Sequence, residues 1–128
     1  MPHVLVVDDN PINLKLVCDL LECAGIDVTG AEDACSAQAV LETLQPNLVL
    51  MDVGLPDMNG LELTRRLKAN PRFRQLPIVA LTAFAMKGDD RKAIDAGCDG
   101  YITKPVNTRT FVSEIESFMR PPATVSAP

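Results

Sequence analysis

Short apolar runs alternate along this chain with longer segments in which apolar residues recur three and four positions apart. The short runs are rich in β-branched residues and predict buried strands, whereas the longer segments predict amphipathic helices. The predicted strands cover residues 4–7, 28–31, 48–51, 78–81 and 101–103. The pattern therefore predicts five strand–helix units in succession, with no internal repeat.

The residues that start and end helices agree with this division. Asn10 followed by Pro11 predicts the start of the first helix, because asparagine is a favoured N-cap and proline suits the first helical position. Gly25 predicts the left-handed residue that ends this helix. Gly97 has the same role after a helical segment at residues 87–96.

Apolar strands separated by helices predict a parallel sheet that helices cover on both faces. Right-handed crossovers then give a doubly wound (βα)5 three-layer sandwich of the α/β class, with strand order 2-1-3-4-5 expected. The domain is expected to span residues 1–120. The Pro- and Ala-rich residues 121–128 are predicted to form a flexible tail or linker.

Length and composition exclude several classes of protein. The 128 residues fit one domain, and 47% apolar with 23% charged residues is typical of a globular protein. No apolar run approaches the ~20 residues of a membrane span, and the start lacks a signal-peptide pattern. The net charge of −5 and the few aromatic residues argue against nucleic-acid binding. We expect a cytoplasmic protein with neither a membrane nor a nucleic-acid partner.

The cysteines predict neither a zinc site nor a disulfide framework. Cys18, Cys23, Cys35 and Cys98 form no C-x-x-C pair and do not cluster with His3. We expect all four cysteines to be small buried hydrophobic residues in a reducing compartment.

Chemically active side chains follow four of the five predicted strands. Asp8 and Asp9 follow the first strand and Asp52 the third, while Thr82 and Lys104 end the fourth and fifth. Each alone has an ordinary explanation, such as a helix start, a turn or a solvated surface. Because ligand sites in such sheets lie beyond the carboxyl ends of the strands, the five residues together predict one site.

Electrostatics indicates what this site binds. Two carboxylates ~5 Å apart repel by roughly 3 kcal/mol at an effective dielectric constant of ~20, so a third carboxylate requires a neutralising cation. A set of carboxylate oxygens suits Mg²⁺, which keeps water ligands and accepts a phosphate. Lys104 supplies the positive charge that a phosphoryl oxygen needs. The sequence predicts a phosphate site with a carboxylate at its centre.

Four stretches resemble the receiver domain of two-component response regulators, and the resemblance covers residues 2–120. These stretches are VLVVDDNPINLKL (4–16), LVLMDVGLPDMNGLEL (48–63), IVALTAFAMKGD (78–89) and AGCDGYITKP (96–105). The last two are similar to single-domain regulators of the DivK type and to receivers of hybrid sensor kinases. The resemblance implies a flavodoxin-like fold and a phosphorylation-dependent signalling switch.

The resemblance implies that Asp52 is the phosphoacceptor. Its carboxylate is expected to attack the phosphorus of a phosphohistidine on a partner histidine kinase or histidine phosphotransferase. Asp9 and Asp52 are expected to ligate Mg²⁺ with the backbone carbonyl of Gly54, and Asp8 is expected to hold the ion through water. Phosphoryl transfer of this kind needs positioning and charge neutralisation more than covalent help.

The resemblance also implies how the signal leaves the site. Lys104 and Thr82 contact phosphoryl oxygens, Thr82 moves toward the phosphate, and Tyr101 rotates inward. The surface of the fourth helix, fifth strand and fifth helix then changes for a downstream protein effector. Pro105 is expected to follow a cis peptide bond that aims Lys104. No enzyme activity is expected beyond assisting the domain's own phosphorylation and dephosphorylation.

Two questions stay open in the sequence. Ile12, Leu14 and Pro105 lie beside the predicted site and suit the docking of a donor helix bundle, but Ile12 and Leu14 equally suit the core of the first helix. A phosphorylation-independent docking module is the alternative function. A haloacid-dehalogenase-type hydrolase fits less well, because it expects an aspartate two residues after a nucleophile on the first strand, and Asn10 stands two residues after Asp8.

Overall fold

A computed structural model describes residues 3–53, 59–82, 95–103 and 107–119, except for the side chains of residues 82 and 103. The strands are β1 (His3–Val7), β2 (Asp27–Ala31), β3 (Leu48–Asp52), β4 (Ile78–Thr82) and β5 (Gly100–Thr103). The helices are α1 (Pro11–Cys23), α2 (Ala34–Thr43), α3 (Gly60–Ala69) and a C-terminal helix (Phe111–Met119). Each observed strand contains the predicted one and extends it by one residue.

All the strands pair in parallel in one sheet of order β2-β1-β3-β4-β5, which confirms the predicted α/β fold and strand order. β1 lies between β2 and β3, so Val4 faces Val28 on one side and Leu48 on the other. Because the strands run the same way, the residues that follow them meet at one edge of the sheet.

Helices cover both faces of the sheet. Leu5 and Val7 of β1 pack in one apolar cluster with residues of α2 and α3. Val4 and Val6 point to the other face, into a cluster with residues of α1 and the C-terminal helix. The alternation follows from the strand geometry, in which neighbouring side chains leave the sheet on opposite sides. The three-layer arrangement is therefore as predicted.

The predicted ends of α1 are confirmed. The side chain of Asn10 accepts hydrogen bonds from the backbone N–H groups of Ile12 (2.9 Å) and Asn13 (3.2 Å). Gly25 follows the helix with a φ of 81°, and Gly97 has a φ of 105°, a region that favours glycine. Most of the helix predicted at residues 87–96 lies outside the described residues.

Lys68 ties α3 to the segment that leads into β4. Its Nζ donates to the backbone carbonyls of Leu76 (2.7 Å) and Arg74 (3.3 Å) and forms an ion pair with Asp99 (3.0 Å). The Lys68 side chain is only 17% exposed. Since the same Asp99 oxygen accepts from the Ile78 backbone N–H at 2.8 Å, this group links α3 to the starts of β4 and β5.

The expectation that all four cysteines are buried is wrong for two of them. Cys98 is buried and Cys18 half-buried, and burial raises the pKa of both thiols. Cys23 and Cys35 are exposed because they lie in the last turn of α1 and the first turn of α2, on the outward sides of these helices. None of the four cysteines, all of which lie in the described part of the chain, forms a disulfide bond.

Over the described ranges, no helix combines the length and the apolar character needed to cross a membrane.

Candidate functional site

Three acids meet at the carboxyl edge of the sheet. Asp8 and Asp9 come directly after β1, and Asp52 is the last residue of the neighbouring strand β3. One carboxylate oxygen from each of the three lies within 4.8 Å of the others. The structure thus brings together the three acids that the sequence assigned to one site.

The three acids differ in exposure. Asp8 is completely buried and Asp52 is 6% exposed, whereas Asp9 is exposed. The Asp8 carboxylate accepts hydrogen bonds from the Asn10 backbone N–H (2.9 Å) and from the side-chain amide of Asn13. The first turn of α1 therefore holds Asp8 in place, while Asp9 leaves the cluster open to solvent on its own side.

The cluster suits a hard divalent cation. Buried carboxylates this close to one another raise the free energy of the folded protein through mutual repulsion, unless a cation neutralises them. The donor set consists of carboxylate oxygens, which Mg²⁺ prefers over nitrogen or sulfur ligands. Asp8, Asp9 and Asp52 could therefore hold Mg²⁺, with the exposed side at Asp9 accessible to water or a phosphate.

Gly60 places the start of α3 directly against the main chain of Asp52. The Gly60 N–H donates to the carbonyl of Val53 at 2.8 Å. A β-carbon at position 60 would lie 2.1 Å from the carbonyl oxygen of Asp52, which leaves no room for any side chain. Sequence analysis missed this residue; the available signal was a glycine directly after Asn59, which caps α3.

A buried hydroxyl holds the same helix start. The Thr64 hydroxyl donates to the carbonyl of Gly60 at 2.9 Å, and Thr64 is completely buried. The Cys98 thiol contacts this hydroxyl at 3.9 Å. The first turn of α3 is therefore anchored on one side by the β3 backbone and on the other by the loop before β5.

The structure describes some of the predicted site residues only in part and others not at all. Gly54, Lys104 and Pro105 lie outside the described residues, as does the side chain of Thr82. The backbone of Thr82 ends β4 one residue after Leu81, which is aligned with Asp52 on β3. Tyr101 lies in β5 with 40% of its surface exposed.

Beside the acids, α1 presents an exposed apolar surface. Ile12 is 81% exposed and Leu16, one turn later, is 39% exposed. Leu14 is half-buried and packs against the cluster beneath α1. The structure thereby separates two residues whose roles the sequence left open: Leu14 belongs to the core side and Ile12 to the surface.

Comparison with known proteins agrees with the receiver-domain resemblance of the sequence motifs. The family model described as "Response regulator receiver domain" matches residues 4–116. The polar-differentiation response regulator DivK of Brucella anthropi is 39% identical over 116 residues, covering 91% of this chain and 94% of that protein. A CheY-like receiver domain protein of Methanospirillum hungatei has a TM-score of 0.85 at 31% identity, covering 93% of this chain and 94% of the other.

A second solved structure bears on the acidic cluster. The receiver domain of sensor histidine kinase PA1611 from Pseudomonas aeruginosa has a TM-score of 0.84 at 31% identity, with 92% and 97% of the two chains covered. That structure has a magnesium ion coordinated in the active site cleft. The resemblance predicted from the sequence is confirmed, and the chain belongs to the response regulator receiver domain family of two-component signalling.

Proposed function

We propose that this chain is a phosphorylation-dependent switch in which Asp52 accepts a phosphoryl group from a phosphohistidine. The donor is a histidine kinase or a histidine phosphotransferase. The observation that carries the proposal is the convergence of the Asp8, Asp9 and Asp52 carboxylates within 4.8 Å at the carboxyl edge of the sheet.

The transfer is a substitution at phosphorus. An oxygen of the Asp52 carboxylate forms the new O–P bond as the P–N bond of the donor breaks. The bonding electron pair returns to the imidazole nitrogen, and the ring leaves neutral when its other nitrogen carries a proton. Asp52 is 6% exposed, so little water reaches this residue to compete with its carboxylate for the phosphoryl group.

Mg²⁺ is the proposed cofactor, and it supplies charge neutralisation for the carboxylates and the incoming phosphoryl group. Asp9, Asp52 and the backbone carbonyl of Gly54 are the proposed ligands, and Asp8 acts through water. The hydrogen bonds that Asp8 accepts from Asn10 and Asn13 support this role, because they hold the carboxylate in one orientation.

The output is a change in a protein-binding surface. Lys104 and the Thr82 hydroxyl are proposed to contact phosphoryl oxygens, Tyr101 to rotate inward, and Pro105 to aim Lys104. The exposure of Tyr101 supports this scheme, since the ring has an outward position from which to move.

The proposed domain spans residues 1–120, and residues 121–128 form a tail. The domain is proposed to act in the cytoplasm on a protein effector and to catalyse no other reaction.

The test is the intact mass of the protein after incubation with acetyl phosphate and Mg²⁺. The wild type gains one phosphoryl group with Mg²⁺ present and none when Mg²⁺ is chelated before acetyl phosphate is added, and Asp52→Asn gains none in either case. The matched control is Asp19→Asn, an exposed acid of α1, which gains one group like the wild type.

Two results would contradict the proposal. An adduct that persists in Asp52→Asn would move the acceptor to Asp8 or Asp9. A folded wild type that gains no phosphoryl group would favour the alternative, a receiver-like docking module that works without phosphorylation.

The exposed apolar surface of α1 is the proposed docking site for the phosphodonor. Ile12 is largely exposed and stands one turn from the acids, so a donor helix seated on it would bring its phosphohistidine to Asp52. Ile12→Asp is expected to slow transfer from a phosphorylated histidine phosphotransferase domain about tenfold, because a charge enters an apolar contact. Phosphorylation by acetyl phosphate stays unchanged, since this small donor needs no docking surface.

The control for docking is Ala39→Asp, which adds the same charge on the exposed side of α2. It should leave both rates unchanged. Equal rates of protein-donor transfer for Ile12→Asp and Ala39→Asp would refute docking at this surface.

A further inference from the structure

Two neighbouring clefts lie at the amino edge of the sheet, opposite the acidic cluster. One, of about 280 Å³, is formed by residues just before β3 and β4; the other, of about 250 Å³, lies between α2 and α3. Arg72 and Phe73 line both clefts, which therefore form one continuous surface. We call this surface the α2–α3 cleft.

Arg72 is held at the junction of the two clefts. Its guanidinium lies 5.0 Å from the centre of the Phe73 ring, and one of its nitrogens donates to the backbone carbonyl of Glu42 at 3.3 Å. Its backbone N–H donates to the Asn70 side chain at 3.0 Å. A guanidinium held over an aromatic ring loses less conformational entropy on binding, so it is prepared for a planar anion such as a carboxylate.

This arginine has no acidic partner among the described residues. Arg65 and Arg66 pair with Glu62, and Lys68 pairs with Asp99. Across the described ranges, no carboxylate lies within ion-pair distance of Arg72 or Arg74. Among the described residues that line the cleft, Glu42 is the one acid, alongside Arg66 and Arg72.

Positive charge is concentrated around this cleft. Residues 65–74 contain five of the chain's 12 lysines and arginines and no acid. The remaining residues carry seven cations against 17 acids, a net charge of −10 in a chain of −5 overall. Three of these five cations pair with acids, whereas Arg72 and Arg74 have no acidic partner among the described residues. The excess negative charge of the rest of the chain repels a negatively charged partner, and the cationic segment attracts it to the cleft.

We propose that the α2–α3 cleft binds an acidic polypeptide segment of a partner protein, with a carboxylate of that segment on Arg72. The occupant is a peptide rather than a nucleic acid, because Phe73 is 8% exposed and offers no ring on which a base could stack. The cleft lies at the edge of the sheet away from Asp52, so this contact is independent of the proposed phosphorylation.

The test is an NMR titration of the backbone amides with poly-L-glutamate in about 0.1 M NaCl, where exposed charges more than about 10 Å apart are largely screened. Poly-L-glutamate should shift amides of residues 65–74 and of α2. The double variant Arg72→Glu/Arg74→Glu should weaken binding about tenfold or more. Glu42→Gln should tighten it, because the acid that opposes the ligand is removed.

The matched control is Lys15→Glu/Arg109→Glu, which changes the net charge equally at two exposed residues far from the cleft. It should weaken binding less than about twofold. Equal weakening by both pairs would mean that net charge alone governs binding and would overturn the proposal. So would shifts confined to other residues, or tighter binding of a single-stranded oligodeoxynucleotide than of poly-L-glutamate to the same amides.

Discussion

Gly60→Ala is expected to lower the free energy of unfolding by about 2–3 kcal/mol and to slow phosphorylation of Asp52. The added β-carbon would lie 2.1 Å from the Asp52 carbonyl oxygen and 3.0 Å from the Val53 α-carbon. Both neighbours are backbone atoms, so no side-chain rotation relieves the clash. Either α3 shifts outward or the end of β3 moves, and the second change displaces the acid itself.

Urea unfolding monitored by circular dichroism measures the stability change, and the acetyl phosphate reaction measures the phosphorylation rate. The control is Gly30→Ala in β2, where the nearest atoms to the β-carbon would belong to the flexible side chain of Leu14, at 3.3 Å. This variant should change the unfolding free energy by less than about 1 kcal/mol. If the two variants were equally stable and equally reactive, close packing at Gly60 would not control the position of Asp52.

Mg²⁺ is expected to stabilise the wild type by about 2–3 kcal/mol at a concentration roughly 100 times its dissociation constant. Asp9→Asn should lose most of this gain, because Asp9 is a proposed ligand. Without Mg²⁺, the order of stability of the wild type and the variant reverses. Removing one of three mutually repelling carboxylates should then make the variant more stable than the wild type by about 1 kcal/mol, a small value because Asp9 is exposed and screened.

Thermal unfolding with and without MgCl₂, against NaCl of the same ionic strength, measures both effects. Glu22→Gln is the control, since it removes one negative charge from an exposed position near the other end of α1. Its response to Mg²⁺ should equal that of the wild type. A Mg²⁺ response that survives in Asp9→Asn would exclude this carboxylate as a ligand.

The fold follows closely from local sequence patterns. Strands such as β3 are buried along their whole length, so an unbroken apolar run marks them with only a one-residue error at the end. The ends of α1 were equally clear, because Asn10, Pro11 and Gly25 act through local backbone geometry. The cysteines were harder to predict. Cys23 and Cys35 have apolar side chains, but they lie in the terminal turns of helices. Residue type alone does not predict whether such positions are exposed.

The residues of the candidate site also differ in how well the sequence predicted them. Its acids were visible in the sequence because each stands where a predicted strand ends, and parallel strands end at a common edge. Gly60 was not visible, since its importance depends on the backbone of a different element. The separate roles of Ile12 and Leu14 were also undecided until the packing of α1 on the sheet turned one outward and the other toward the core.

The sequence by itself determined the five strands, their parallel order and the presence of acids at one edge, because these features follow from periodicity and from short-range turn signals. Only the tertiary structure decided that adjacent Asp8 and Asp9 differ completely in exposure, that α3 begins against Asp52, and that Arg72 stands at the junction of two clefts. These features depend on how the helical layers pack against the sheet. Such contacts join residues far apart in the chain, and no local pattern encodes them.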